Sequence, residues 1–309
     1  MGNLVSVIIP THNRGDLLRR SIASVLNQKH QEFEIIVADD ASEENIGEVV
    51  ASFGDQRIKH FRNEQKTHAG GARNLGLDHA TGDYIAFLDS DDEWLPEHLA
   101  SHLNAIVQSG CDGVYGSVFI DDGESRTYVG SRAMAPGQHP ADYVLSGGSV
   151  PTPTWVMKSS AVKSLRFDRE LVIHEDYDFF VRFASNHHWL AMWQPTTIVH
   201  WQKGVQRKRN PHSEIKFVQR YYQHIAPRTY FMYHLSNLTD YRKLGVDQNI
   251  LHYYTAEALR HINAISFNDY CAVFNQRRGA MGFVINLLGF TFRLLQAKVS
   301  KPGPPKGLD

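Results

Sequence analysis

The 309-residue sequence predicts an open α/β fold: a Rossmann-like, mostly parallel central sheet flanked by helices, followed by a mainly helical C-terminal extension. Three observations predict it. Apolar runs of four to six residues alternate with helical patterns of about ten residues through roughly the first 90 positions, as parallel βαβ units with right-handed crossovers require. Polar residues stand directly behind three of those runs, and open α/β sheets bind ligands outside the carboxyl ends of their strands. Beyond about residue 205 the character turns basic, aromatic and helical, with Gln206-Arg-Lys-Arg-Asn210 and Arg220-Tyr-Tyr222.

The elements follow in order. The Val/Ile-rich run at 5–10 is a strand; apolar spacing then gives a helix over 15–28, a strand over 34–38, a helix over 44–52 and a strand over 57–61. A helix over 69–80 and a strand over 84–88 complete the regular part. After residue 110 come strand-like residues 113–120, an Asp121-Asp-Gly123 turn, and a loop-rich stretch with Gly147-Gly148 and Pro151-Thr-Pro153. Long loops over a rigid sheet commonly carry substrate contacts. A helix begins near Asp176 and runs through Phe179, Phe180 and Phe183. The change near 205 sets a boundary between residues 1–205 and 206–309.

Composition narrows the function classes. A net charge of −1 gives no global field for nucleic acid or acidic membranes. Cys111 and Cys271 are far apart and form no metal-ligand spacing, which fits a reducing compartment without a disulfide framework. The chain enters strand-like Val5–Ile9 with no secretory h-region. Met1-Gly2 with Ser6 matches a myristoylation pattern, but Ser6 lies inside the first strand; Asn237-Leu-Thr239 matches a glycosylation acceptor that this routing leaves unused. Residues 279–296 are apolar but interrupted by Asn286, Gly289 and Arg293, too short a run to span a bilayer. An interfacial helix flanked by Lys298, Lys301 and Lys306 competes there with a core or oligomer-packing helix, ahead of a loose tail over 301–309.

The chemistry concentrates behind the strands. Phe87-Leu-Asp-Ser-Asp-Asp-Glu93 places Asp89, Asp91, Asp92 and Glu93 together, and like charges this close need a compensating cationic or protic group, most commonly a divalent metal. The Asp89-Ser90-Asp91 spacing puts two carboxylates on one side of the backbone, which suits Mg²⁺ or Mn²⁺ completed by substrate phosphates. A solvated acidic turn before a helix begun by Pro96 is the plain alternative. Asp40, behind the second strand, can accept an N–H from a pyrimidine, with Thr11 and the Pro10 carbonyl alongside; capping the following helix is its alternative. Gly70-Gly-Ala-Arg-Asn74 offers amides or Arg73 to a phosphate or base, and tight helix packing explains the glycines equally well. His98 and His102 have i, i+4 spacing, yet no third zinc ligand is evident, and packing accounts for them better. His174-Glu-Asp-Tyr-Asp178 is a second acidic site, readable as favourable charge at a helix N-terminus or as a proton acceptor near the first.

Together these residues resemble the family 2 glycosyltransferases with the GT-A fold. The resemblance covers about residues 4–205 and rests on Val5-Ser-Val-Ile-Ile-Pro-Thr-His-Asn13, Val37-Ala-Asp-Asp-Ala-Ser42, Ala72-Arg-Asn-Leu-Gly76, Gly82-Asp-Tyr-Ile-Ala-Phe-Leu-Asp-Ser-Asp-Asp92 and Glu175-Asp176. It implies that residues 1–205 are a catalytic domain using a nucleoside-diphosphate sugar, UDP-linked by preference, in an inverting transfer. It implies that Pro10, Thr11, Asp40, Arg73, Asp89 and Ser90 bind the donor, that Asp91 holds Mn²⁺ or Mg²⁺, and that Asp176 is the general base. Family members often carry a histidine near the diphosphate after the last core strand; here Ile198-Val-His-Trp-Gln-Lys203 offers His200 or Lys203. The acceptor is then a glycan, lipid-linked or protein hydroxyl, in the cytoplasm or at the inner face of a membrane, and 206–309 has a membrane-surface, oligomer or acceptor role. Without a following run of membrane helices, transfer of one sugar is expected over processive extrusion.

Two other readings compete. A metal-dependent phosphoryl transferase or phosphatase also uses Asp-x-Asp at a strand end, but its haloacid-dehalogenase-like form wants Thr or Val where Glu93 stands. A non-catalytic nucleotide- or glycan-binding scaffold would not need both the Asp-x-Asp and Glu175-Asp176.

Overall fold

The computed structural model describes residues 2–201 and 209–261. Its elements, in order, are β1 (Val5–Thr11), α1 (Gly15–Leu26), β2 (Phe33–Asp39), α2 (Ile46–Ala51), β3 (Ile58–Arg62), α3 (His68–His79), β4 (Tyr84–Phe87), β5 (Glu93–Trp94), α4 (His98–Ser109) and β6 (Gly113–Asp121). Then come β7 (Arg126–Val129), α5 (Pro140–Leu145), β8 (Val156–Lys158), α6 (Ser159–Val162), α7 (Glu175–Ala184), β9 (Trp189–His200), α8 (Pro211–Tyr221), α9 (Pro227–Leu244) and α10 (Gln248–Arg260).

The sheet runs β3-β2-β1-β4-β8-β6-β9-β5, with β7 on β6. Its first four strands are parallel, as their βαβ pattern predicts. Beyond them the sheet is mixed: β8 is antiparallel to both β4 and β6, and β5 and β7 are antiparallel to their partners. These short strands leave no periodicity for a sequence to display. β5 has two residues and β8 three.

Alternation along β1 explains how helices cover both faces. Val5, Val7 and Ile9 join the core with Leu18, Ile22 and Val25 of α1, while Ile8 turns to α3, where a Cβ added at Gly76 would lie 2.3 Å from its Cγ2. Only glycine permits that approach, and it lets α3 pack closely on β1. A second, aromatic core fixes α7. Phe179 stacks on Phe167 at 4.3 Å between ring centroids, Phe183 meets Trp189 at 4.3 Å, and Phe180 stacks on Trp189 at 5.3 Å. Truncating such an aromatic costs about 3–5 kcal/mol, so the position of α7 is strongly determined.

Residues up to Phe217 form one compact unit, and a second begins at Val218. In the second, α9 and α10 bury His234, Leu235, Tyr254 and Ala258, and the Tyr230 hydroxyl donates to Glu257 Oε2 at 2.6 Å. No helix among the described residues is long and apolar enough to cross a membrane. The 279–296 segment, its lysines, the tail and Cys271 lie outside the described residues. Cys111 is buried as a free thiol.

Candidate active site

The loops after β1 and β2 are stitched together behind the sheet. Asp40 N donates to Thr11 O at 2.8 Å, His12 Nδ1 lies 2.8 Å from Asp40 O, and Asn13 Oδ1 accepts the Glu43 amide at 2.7 Å. Pro10 and Thr11 end β1 in fully buried backbone. Thr11 Oγ1 is shut from solvent with no hydrogen-bond partner, so this residue places the loop and does not present its hydroxyl. Asp40 is buried, and its Oδ1 accepts from Thr67 N and Thr67 Oγ1, both at 2.7 Å, and from Asn63 Nδ2 at 3.1 Å. Capping the following helix is therefore not its role. Asn45 caps α2 through Glu48 N, whereas Asp40 ties the second strand to the entrance of α3. A cleft of about 520 Å³ lined by Asp39, Ser42, Glu44, Asn45, His60 and Arg62 opens at the same sheet edge.

Within α3, Gly70 and Gly71 lie in the first turn rather than ahead of it, and they serve packing. A Cβ at Gly71 would sit 2.2 Å from Thr67 Oγ1, the hydroxyl that reaches Asp40. Arg73 faces inward instead of toward open solvent. Its side chain is 6% exposed, with Nη2 2.8 Å from Asp89 Oδ1 and Nη1 3.0 Å from Glu175 Oε1. The guanidinium thus joins the turn after β4 to the start of α7. Burial works against its charge, but Asp89, Glu175 and Asp176 outweigh that and raise its pKa.

The acidic turn closes through Asp92 N donating to Asp89 O at 3.0 Å, and Ser90 is buried within it. The carboxylates of Asp89 and Asp91 do not share one partner as their spacing alone predicts. Asp89 goes to Arg73, whereas Asp91 Oδ2 pairs with Arg14 Nη1 at 2.5 Å and its carbonyl accepts from Arg20. Asp92 Oδ1 accepts the His200 amide at 3.0 Å, and His200 Nε2 lies 3.2 Å from Glu93 Oε1. His200 therefore reaches the acidic turn; Lys203 lies outside the described residues. Burial, then the charges of Asp89 and Asp91, hold the Asp92 carboxyl well above the usual range; burial and Asp89 raise Asp91, against Arg14 and Arg20.

This donor set fits a hard divalent cation. The side chains of Asp89, Asp91, Asp92 and Glu93 offer only oxygen ligands, the kind Mg²⁺ and Mn²⁺ take. No group of three or more His, Cys, Asp or Glu forms a complete cage among the described residues. Ligation by one or two carboxylates with substrate phosphates needs none. The zinc alternative gives way to packing: His98 is stacked between Trp94 and His102 at 4.1 and 4.0 Å, and both imidazoles are buried.

At the start of α7, Asp176 is partly exposed and its Oδ1 accepts the Tyr177 amide at 2.8 Å. Burial raises its carboxyl while Arg73 opposes the rise; Glu175 is raised by burial and by Asp176. Strain surrounds the site. Among the described residues, the four non-glycines at positive φ, Asn13 (52°), Ala41 (57°), His68 (61°) and His174 (64°), lie after β1, after β2, at the start of α3 and at the N-cap of α7. Each costs about 1–2 kcal/mol outside glycine, and such strain collects where a fold holds a functional geometry.

An open α/β sheet with buried acids and a basic bridge at one edge describes a ligand-transforming enzyme of the GT-A type. A sequence profile described as "Glycosyl transferase family 2" matches residues 6–168, more than half of the chain, and the protein belongs to that family. Glu175 and Asp176 lie just past the matched stretch. The chain is 32% identical over 188 residues to the amylovoran biosynthesis glycosyltransferase AmsB of Erwinia amylovora, covering 57% of this chain and 62% of that one. It is 33% identical over 174 residues to the Escherichia coli UDP-Glc:alpha-D-GlcNAc-diphosphoundecaprenol beta-1,3-glucosyltransferase WfgD, covering 56% and 67%. The match thus spans about two-thirds of these relatives' length. The fold is similar to that of S. aureus TarS residues 1–349, crystallised with UDP-GlcNAc, at a TM-score of 0.67 and 19% identity over 83% of this chain and 81% of that one. Family membership displaces the phosphatase reading.

Proposed function

We propose that this glycosyltransferase moves one sugar, with inversion, from a UDP-linked donor to a hydroxyl of a glycan or lipid-linked acceptor in cell-surface polysaccharide synthesis. The observation that carries this reading is the Arg73 bridge, which brings Asp89 and the Glu175-Asp176 pair to one guanidinium. The names of the relatives, AmsB in amylovoran biosynthesis and WfgD on a diphosphoundecaprenol acceptor, support the process and acceptor class. The UDP-GlcNAc complex of TarS supports a nucleotide-sugar donor on this fold.

In this reading the nucleoside lies at the Pro10-Thr11 loop and Asp40, whose Oδ1 is committed to Thr67 and Asn63 while Oδ2 accepts from the base. Asp89 and Ser90 line the donor's ribose and diphosphate, Arg73 holding Asp89 in place. Asp91 would hold Mn²⁺ or Mg²⁺, which when bound offsets charge on the departing diphosphate. His200, beside Asp92 and Glu93, stands at the diphosphate end. Asp176 takes the proton of the acceptor hydroxyl as its oxygen bonds to the anomeric carbon and the bond to the diphosphate oxygen breaks on the opposite face. Holding both substrates in one cleft supplies much of the acceleration. The enzyme is proposed to work in the cytoplasm, peripherally at a membrane's inner face, with the C-terminal helices as its docking or self-association surface.

The test is release of nucleoside diphosphate from a panel of UDP-, dTDP- and GDP-sugars with Mn²⁺ and then with chelator, beside lipid-linked glycan acceptors. Metal-dependent release from a UDP-sugar with a new glycosidic product supports the reading. Turnover unchanged by chelator rejects the metal, and turnover with retained anomeric configuration rejects the single displacement.

A further inference from the structure

The two carboxylates of Asp89-Ser90-Asp91 have counter-ions of opposite character. Asp89 is paired with Arg73, whose side chain is 6% exposed and held from behind by Glu175. Asp91 is paired with Arg14, and both partners of that bridge face solvent, at 46% and 33% exposure. Arg14 is the N-cap residue of α1, its side chain makes no capping bond, and Asp91 is the partner the described residues give it. It directly follows the Pro10-Thr11-His12-Asn13 loop, with Asn13 in the left-handed conformation before it. The arginine is therefore tethered between the loop assigned to the donor's nucleoside and the carboxylate assigned to the cation. One pair is built in; the other is free to exchange.

We propose that Arg14 is a displaceable counter-ion of Asp91 that makes divalent-cation binding depend on the donor's diphosphate. This rests on the reading above that Asp91 holds the cation. A guanidinium and a divalent ion compete for the same carboxylate, so the cation alone meets an occupied ligand. A diphosphate changes both sides of the competition. It offers the guanidinium a bidentate acceptor at least as good as Asp91, and it supplies the ion with oxygen ligands. Cation and donor then bind with positive coupling, and that coupling is reciprocal. Asp89 cannot play this part, because removing Arg73 from it would also strip Glu175 of its partner.

The experiment titrates Mn²⁺ into the full chain, reading free ion by electron paramagnetic resonance, for wild type, Arg14→Gln and Arg14→Lys, each with and without UDP. Without UDP, Arg14→Gln is expected to bind Mn²⁺ about 1.5- to fivefold more tightly than wild type, the range an exposed ion pair is worth, with Arg14→Lys between them. UDP is expected to tighten Mn²⁺ binding more in wild type than in Arg14→Gln. Equal or weaker Mn²⁺ binding by Arg14→Gln in the absence of UDP overturns the role of Arg14 while leaving Asp91 as a ligand. Mn²⁺ binding by wild type that survives Asp91→Ala unchanged, or no binding by any of the proteins even with UDP, overturns the metal assignment and this inference with it.

Discussion

Arg73 lies 3.0 Å from Glu175 although 102 residues separate them in the chain. Its other arm holds Asp89 at 2.8 Å. A single buried cation therefore fixes the distance between the turn after β4 and the first turn of α7, the two places where the family resemblance assigns donor and base chemistry.

That bridge predicts an asymmetric mutational response. Arg73→Met leaves buried carboxylates without their cation and is expected to lower unfolding stability by about 3–5 kcal/mol, the usual cost of breaking a buried pair from one side. The double variant Arg73→Met/Glu175→Gln is expected to cost less than the sum of the singles. Urea unfolding of the four proteins checks this, and strict additivity would show that the two side chains do not interact.

The proposed function gives Asp176 and Asp91 different steps. Asp176→Asn is expected to keep donor binding and lose about 10²- to 10⁴-fold in transfer, the range of a general base. Asp91→Ala is expected to lose both metal-dependent donor binding and transfer. Calorimetric donor titration beside turnover separates the cases, and wild-type turnover by the Asn variant removes Asp176 as the base.

Asp40 ties β2 to the start of α3 and, in the proposed function, also meets the nucleoside. Asp40→Ala removes the acceptor of both Thr67 donors and of Asn63, so the donor KM is expected to rise about tenfold or more, with a smaller change in kcat. Thr67→Val is the companion measurement. It loosens the same tie without touching the carboxylate, so an equal KM effect would assign the role to helix placement alone.

Buried imidazoles set an acid limit to stability. Burial lowers the pKa of His102 to about 4 from 6.5. A depressed folded-state pKa contributes stability that is complete above about pH 6.5 and is lost as pH falls toward 4, because the unfolded chain takes up the proton first. The raised carboxyls of Asp91 and Asp92 act in the opposite sense, gaining stability as they protonate. The histidine contribution is isolated by comparison: between pH 7.5 and 5 the wild type is expected to lose about 2 kcal/mol more than His102→Gln. Parallel stability curves for the two proteins would contradict it.

The first four strands and their helices were legible because each is a whole apolar run closed by polar residues. Their ends shift by one or two residues for local reasons; α2 starts late because Asn45 caps it. In the far half of the sheet β6 was legible as the strand-like run over 113–120, whereas β5 and β8 are too short to show alternation and exist through their neighbours' hydrogen bonds. At the site, residue types were legible and partnerships were not. Arg73 looked equally suited to a phosphate, and nothing nearby in sequence announces Glu175 as its partner. Arg14 stands among the polar residues behind the first strand, and nothing near it in sequence announces Asp91 as its partner. The left-handed Ala41, His68 and His174 carry no compositional mark, because their backbone is imposed by the loops around them.

The central claim is that Asp40, Asp91 and Asp176 serve one bound donor. Its most direct test is a diffraction experiment on the protein with Mn²⁺ and a UDP-sugar, using the anomalous signal of manganese. A manganese peak is expected at the Asp91 carboxylate, with the nucleoside against Asp40 and the anomeric carbon open toward Asp176. A manganese peak remote from Asp91, or a nucleotide whose sugar points away from Asp176, would contradict it.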